Sequence, residues 1–233
     1  ELVEDVIKKN LISDTKVGIF LSGGLDSSIL AITAKNFGLN VEAYTSYFLP
    51  ENKFTKFNVD FKYADILSKK INFKLNKVAI DEKNLSQKYE IINAYKKLDE
   101  PITNFNFFNS FFQSKMAKEN NCKVILTGDG ADEIFGGYER YKKCYIARKL
   151  SYLSFLNKKI SRINSTKNED LPRYFYNFLN IENNSNVFNR DFFNYLKQSD
   201  SLKFVLPDSE KKEEVINYFD LKYWIQSESN FKL

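Results

Sequence analysis

An α/β fold, a doubly wound parallel sheet followed by a helical layer, is predicted by three features of this 233-residue sequence. Short apolar runs alternate with helix-patterned stretches over roughly the first 140 residues, the rhythm of strand–helix–strand units. The apolar runs are continuous rather than alternating for the most part, as expected of strands covered on both faces. Two of them end in glycine-rich turns, and beyond Arg140 the pattern becomes helical and polar.

Leu2–Ile12 carries apolar residues at helical spacing (Leu2, Val3, Val6, Ile7, Leu11) and predicts a helix. Lys16–Leu21 is a buried strand entering the tight turn Ser22-Gly23-Gly24. Ser27–Phe37 reads as a helix that Gly38 stops. Val41–Phe48, aromatic and β-branched, is the second strand. Val59–Ile71 is helical, Phe73–Ile80 alternates as a third strand, and Lys83–Leu98 is a helix ending at Asp99-Glu100-Pro101. Asn104–Glu119 is a Phe-rich helix, and Lys123–Thr127 is a fourth strand running into Gly128-Asp129-Gly130. In such sheets ligands sit beyond the carboxyl ends of the strands, where the strand order reverses. No strand is predicted after Arg140. The aromatic run Phe105, Phe107, Phe108, Phe111 and Phe112 reads as core. Arg140, Lys142, Lys143, Arg148 and Lys149 read as a solvated helix face.

Composition narrows the function classes. Thirty-five Lys and Arg against 30 Asp and Glu leave +5, too mild to force a nucleic-acid partner. Histidine is absent, which excludes His-based triads, His metal sites and His pH switches within these residues. The two cysteines, Cys122 and Cys144, are too few for a disulfide framework or a four-ligand zinc site. No apolar run reaches the ~20 residues that span a bilayer, and no signal peptide opens the chain. The expectation is a cytoplasmic protein with neither nucleic-acid nor membrane partner. The chain starts on Glu1 rather than Met and enters a helical pattern at once, so it reads as a piece of a longer protein.

The first glycine turn, Ser22-Gly23-Gly24-Leu25-Asp26-Ser27-Ser28, suits a polyphosphate. Two glycines expose backbone N–H groups, the following helix adds the positive end of its dipole, and three serines add hydroxyls. Without a lysine it is not the kinase-type phosphate loop. Asp26 is out of place beside phosphate unless a divalent cation lies between them, so it is predicted to hold Mg²⁺. The second turn, Gly128-Asp129-Gly130-Ala131-Asp132-Glu133, places three carboxylates within five residues, costly unless a cation sits among them. Glu133 could instead cap the short turn or hold a neighbouring side chain. If strands one and four are neighbours, the two turns face each other, with Asp26 and Asp132 on Mg²⁺ against a nucleotide triphosphate.

SGGLDSS (Ser22–Ser28) resembles the PP-loop of the ATP-pyrophosphatase superfamily, whose fold is the adenine nucleotide alpha hydrolase-like α/β sheet. LTGDGADEIFGGYERY (Leu126–Tyr141) is more specific, and resembles the synthetase domain of glutamine-dependent asparagine synthetase. Ser13–Ser28, the positions Asp60, Tyr63 and Ala64, and Leu98-Asp99-Glu100-Pro101 agree with that family as well. The resemblance is firm over about residues 1–145, the ATP-binding core. It is loose over 146–233, a helical extension that stops ahead of the family's lysine-bearing segment.

The resemblance implies amidation in two steps. The carboxylate of aspartate attacks the α-phosphate of ATP to give an acyl-adenylate and pyrophosphate, and ammonia supplied from glutamine then displaces AMP. Carried over by position, Leu21 and Ser46 contact adenosine through their backbones. Ser22, Gly23, Gly24, Asp26, Ser27 and Ser28 bind the phosphates, and Thr127 and Gly128 flank the nucleotide. Asp26 and Asp132 bind Mg²⁺, Asp129 lies near the reacting phosphate, and Tyr138 and Glu100 lie near the amino-acid substrate. The other reading of Tyr138 is a packing aromatic after the Gly-Gly break, and that of Glu100 a turn former before Pro101. The glutaminase domain implied as partner is not in this sequence, so Cys122 and Cys144 are not its nucleophile; a homodimer is left open. The family's histidine near the end of strand three is missing from Phe73–Val78. Three rival readings stand beside this one. A relative could act on another carboxylate (a sugar acid, a peptide or a β-lactam precursor). The chain could also be a nucleotide-binding pseudo-enzyme that the intact acid set argues against, or an RNA-modifying enzyme that would need a basic face.

Overall fold

The computed structural model describes residues 1–81, 83, 86, 88–98, 106–176, 190–191, 194 and 204–225. The chain divides into two compact units, one within Glu1–Asp129 and one within Gly130–Asn230.

The first unit opens with α1 (Leu2–Asn10), whose Ile7 and the following Leu11 are buried. Four parallel strands follow: β1 (Lys16–Phe20), β2 (Glu42–Phe48), β3 (Leu75–Ile80) and β4 (Cys122–Leu126), in the spatial order β3-β2-β1-β4. The predicted doubly wound parallel sheet is therefore present. The strands are joined through α2 (Leu25–Asn36), α3 (Val59–Lys70) and, between β3 and β4, α4 (Lys88–Tyr95) and α5 (Asn106–Glu119). The chain steps outward from β1 to β2 to β3, then returns to lay β4 on the other side of β1. Right-handed crossovers put the helices of the outward and return steps on opposite faces. The packing agrees. Val17, Ile19 and Ala43 share a core with α1, with Ala31 and Ala34 of α2, and with Ala64 of α3. Tyr44, Cys122 and Ile125 pack against Ala117 and Met116 of α5, as do Val78 and Ile80 against Phe112 and Met116. Alternate residues of one strand thus serve the two faces.

The Phe-rich helix is core, as its spacing predicts: Phe107 and Phe108 are buried with Ala94, and Phe111 and Phe112 pack beside them. Phe105 lies outside the described residues. Helix α2 starts two residues earlier than its pattern suggests, because Gly24 serves as its N-cap and the glycine turn feeds straight into it. Strand β3 keeps the predicted alternation, with Val78 and Ile80 buried and Lys77 and Ala79 exposed.

The second unit contains the short α6 (Ala131–Phe135), α7 (Glu139–Lys149), α8 (Lys158–Ser165), α9 (Leu171–Phe175) and α10 (Lys212–Phe219), the last continuing into a π-helical turn, Asp220–Trp224. No strand occurs among its described residues. Its core joins Tyr141, Cys144 and Ala147 of α7 to Ile163, Leu171, Val215, Ile216 and Phe219. Tyr141 and Cys144 are three apart and Ala147 three further, one stripe of α7. The basic stretch departs from its reading as a solvated face. Lys142, Lys143 and Lys149 are exposed, but Arg140 pairs with the buried Asp220 and Arg148 with Glu213.

Candidate functional site

Strand β1 ends at Phe20, and its last ladder bond runs from the Leu21 N–H to the Tyr44 carbonyl, 2.9 Å. The chain then turns through Ser22-Gly23-Gly24. Gly23 takes φ +80°, a conformation side chains resist, and a Cβ there would lie 2.5 Å from the Ala64 amide nitrogen and 2.6 Å from Tyr63 Cβ. Helix α3 therefore buttresses the turn directly, which gives Tyr63 and Ala64 a physical reason to accompany the glycines.

The serine hydroxyls shape the turn more than they line it. Ser22 Oγ and Ser27 Oγ lie 3.0 Å apart, the Ser22 N–H donates to Ser27 Oγ, and the Gly24 N–H donates to Ser22 Oγ. Ser28 Oγ donates to the Gly24 carbonyl at 2.6 Å. Ser27 is buried. Gly24 caps α2 and supplies no side-chain cap hydrogen bond to the first turn of that helix. Backbone amides at the positive end of a helix dipole favour an anion. Asp26, in the first turn of α2, is half-buried.

On the neighbouring strand, β4 runs into Thr127 and Gly128. A Cβ on Gly128 would stand 3.0 Å from Asp26 Cβ and 3.2 Å from the Ser27 amide nitrogen. The order β2-β1-β4 thus brings Leu21, Ser22–Ser28, Thr127 and Gly128 to the carboxyl edge where the strand order reverses. Ser46 belongs to the same edge. It lies inside β2, and its Oγ accepts from Gln113 Nε2 at 2.8 Å. The odd-numbered residues of β2 bond toward β3, as the Ala43 and Leu49 N–H groups do, so the Ser46 peptide groups face the side of β1, just past its end. Asp129, exposed, is the last residue of the first unit.

In the second unit, Gly130 caps α6 and the Gly137 N–H returns to the Asp132 carbonyl at 2.9 Å, closing a tight acidic turn. A Cβ on Gly137 would collide with Asp132 Oδ1. Glu133 is buried; its Oε1 accepts from the Tyr138 hydroxyl at 2.9 Å and its backbone carbonyl accepts from Asn217 Nδ2. Of the two roles open to Glu133, holding a neighbour is the one present. Burial, the Glu133 hydrogen bond and the Glu133 and Asp132 charges together push the Tyr138 phenol above the ordinary tyrosine range, so it is a protonated donor at neutral pH. Glu100 lies outside the described residues.

Among the described residues no group of three or more His, Cys, Asp or Glu side chains is placed to hold a metal ion. Mg²⁺ needs no such cage. It usually takes one or two carboxylates and completes its shell with water and phosphate oxygens, and Asp26 and Asp132 are hard oxygen donors of that kind. A separate hollow of about 830 Å³ in the second unit is lined by Lys143, Lys158, Lys159, Arg162 and Arg173 among others. None of the candidate site residues of the two glycine turns lines it. No helix among the described residues is long and apolar enough to cross a membrane. Both thiols are buried and free.

Sequence reading passed over Asn217 and Asp220 and took Arg140 for a surface cation. Asn217 lies 84 positions from Glu133, and Asp220 lies 80 from Arg140 and 44 from Tyr176; only an acid and an amide on α10 and its continuation hinted at them.

Comparison with known proteins agrees with the two motifs. An asparagine synthetase [glutamine-hydrolyzing] 1, provisionally so named, from Methanocaldococcus jannaschii is 37% identical over 145 residues, covering 57% of this chain and 23% of that protein. Asparagine synthetase [glutamine-hydrolyzing] 2 of Bacillus subtilis is 35% identical over 146 residues (59% of this chain, 18% of that protein). Asparagine synthetase B of Escherichia coli is 29% identical over 159 residues (64% and 28%). The matched stretch is therefore about a quarter or less of each relative. An NMN synthetase from Francisella tularensis overlaps at a TM-score of 0.37 with 19% identity, covering 59% of each chain. The asparagine synthase family model matches residues 1–229, nearly the whole sequence and both glycine turns with it, and this chain belongs to that family.

Proposed function

We propose that this chain is the ATP-dependent, amide-forming part of a glutamine-dependent asparagine synthetase, with ATP, aspartate and ammonia as substrates. An aspartate carboxylate oxygen attacks the α-phosphorus, the bond from that phosphorus to the bridging oxygen breaks, and pyrophosphate leaves. Ammonia then attacks the acyl carbon, the bond to AMP breaks, and loss of a proton leaves the amide.

The observation that carries this reading is the approach of Gly128 to Asp26 and Ser27 at the start of a helix whose glycine cap brings no side chain. Amides gathered there suit the β- and γ-phosphates, whose charge grows as pyrophosphate departs. Leu21 and Ser46 offer peptide groups to adenosine beside them, with Thr127 and Gly128 flanking. Asp26 and Asp132 would hold Mg²⁺, which neutralises charge on the leaving pyrophosphate. Asp129 is assigned to the reacting phosphate, and Tyr138 and Glu100 to the amino-acid substrate. In this reading residues 1–145 form the ATP-binding core and 146–233 a helical extension of the same synthetase domain. The glutaminase domain belongs to the full-length protein.

The test is isotope exchange between pyrophosphate and ATP by the full-length protein, run against a panel of carboxylates. Aspartate-dependent exchange is expected. Exchange with another carboxylate alone reassigns the acceptor, and none with any of them overturns the reading.

A further inference from the structure

Asp220 is fully buried, and the chemistry proposed above does not use it. It sits in the π-helical turn after α10 and collects three donors. Arg140 Nε reaches Oδ2 at 2.7 Å, the Tyr141 hydroxyl reaches the same oxygen at 2.5 Å, and the Tyr176 hydroxyl reaches Oδ1. A buried carboxylate is tolerated only when paired and hydrogen-bonded in this way. The consequence falls on Arg140. Its guanidinium is held at Nε, and its Cζ lies over an aromatic ring, 3.6 Å from the centroid of Tyr138. The Tyr141 ring holds Tyr138 as well, with centroids 5.7 Å apart. Tyr138 is thus in contact with both side chains, and its hydroxyl donates to Glu133 Oε1 at 2.9 Å, next to Asp132 in the acidic turn.

We propose that Arg140, locked by Asp220, is a positioning residue for the acidic turn: its stack on Tyr138 sets the phenol hydroxyl against Glu133 and so holds the turn that carries Asp132 in one geometry. Three features favour this over simple packing. The carboxylate–guanidinium–ring–hydroxyl–carboxylate contacts run unbroken from the π-helical turn after α10 to α6. Arg140 Nη2 is buried without a hydrogen-bond partner among the described residues, so the side chain is not placed to maximise its own bonding. Of the three rings the guanidinium lies over, Tyr138 at 3.6 Å is nearer than Tyr176 at 5.1 Å and Tyr141 at 5.3 Å, and its hydroxyl is the one that meets the acidic turn. The inference rests on the reading that this turn serves ATP chemistry, and its test is built to fail separately.

In the full-length protein, Arg140→Lys keeps the charge and loses the planar stack. A displacement of about 1 Å at a reacting group can cost as much as a hundredfold in rate. The expected result is a roughly tenfold or greater fall in kcat for pyrophosphate release, with KM for ATP changed less than about twofold. Tyr138→Phe is expected to fall similarly. The double variant should be no worse than the more severe single, since both break one chain of contacts. Unchanged kcat in Arg140→Lys, or effects that multiply, overturns the proposal. Asp220→Asn, which keeps an acceptor for the hydroxyls, should reproduce the Arg140→Lys kinetics, and wild-type kinetics in that variant overturn the locking role of Asp220. A crystal structure of the Arg140→Lys protein gives an arm independent of turnover. The Tyr138 hydroxyl is expected to leave Glu133, and a hydroxyl still in place overturns the positioning role. Absence of turnover in the wild-type protein overturns instead the reading of the site.

Discussion

Gly128 lies so close to Asp26 that a Cβ on the glycine would stand 3.0 Å from the aspartate Cβ. Two turns 100 residues apart in the chain are in contact because β1 and β4 are hydrogen-bonded neighbours, with Ile19 opposite Leu126 in register. Gly128→Ala should therefore disturb the anion seat rather than the sheet. We expect a loss of about 1–3 kcal/mol in stability, the usual cost of overpacking, with a rise in KM for ATP. Denaturant unfolding alongside ATP titration measures both. An unchanged KM contradicts the contact.

Gly23→Ala should be harsher. The added methyl meets backbone of α3 at 2.5 Å in a residue already at φ +80°. Neither obstacle can rotate away, so a loss above about 2 kcal/mol is expected. Thermal unfolding within a degree or two of wild type would show that the turn yields.

Asp26→Asn keeps size and most packing while removing the charge proposed to hold Mg²⁺. Pyrophosphate release by the full-length protein should fall about a hundredfold or more, the scale of a lost charge-stabilising contact, with little change in melting temperature. Unchanged turnover defeats the metal assignment.

Glu42 supplies a pH signature. Burial raises the carboxyl, but hydrogen bonds from Lys74, Lys16 and Asn76 outweigh that and bring it from 4.5 to about 2. A depressed folded value means that the contribution is complete above about pH 4.5 and disappears as pH falls toward 2. It amounts to about 3 kcal/mol. Glu42→Gln should lower stability at neutral pH and flatten its slope between those two values, which acid titration followed by circular dichroism can record.

The thiols should be silent in the native protein. Burial pushes Cys144 up to about 12 and raises Cys122 as well. A disulfide reagent is expected to modify neither until denaturant is added, and rapid native labelling would contradict their burial.

The linear order of residues determined much of this. Continuous apolar runs ending in glycine marked β1 and β4, Val78 and Ile80 marked the covered face of β3, and the two motifs named the family. These are local properties, written in spacing of two or 3.6 residues and in the backbone freedom of particular glycines. The tertiary structure alone decided which strands are neighbours, and therefore that Gly128 rests on Asp26. It also turned the serine hydroxyls of the first turn inward, onto one another and onto the Gly24 carbonyl. Arg140 shows the limit most plainly. In sequence it sits among lysines and reads as solvated, yet Asp220, eighty positions away, draws it beneath the surface. Pairing of buried charge depends on distance in space, and no period along the chain encodes it.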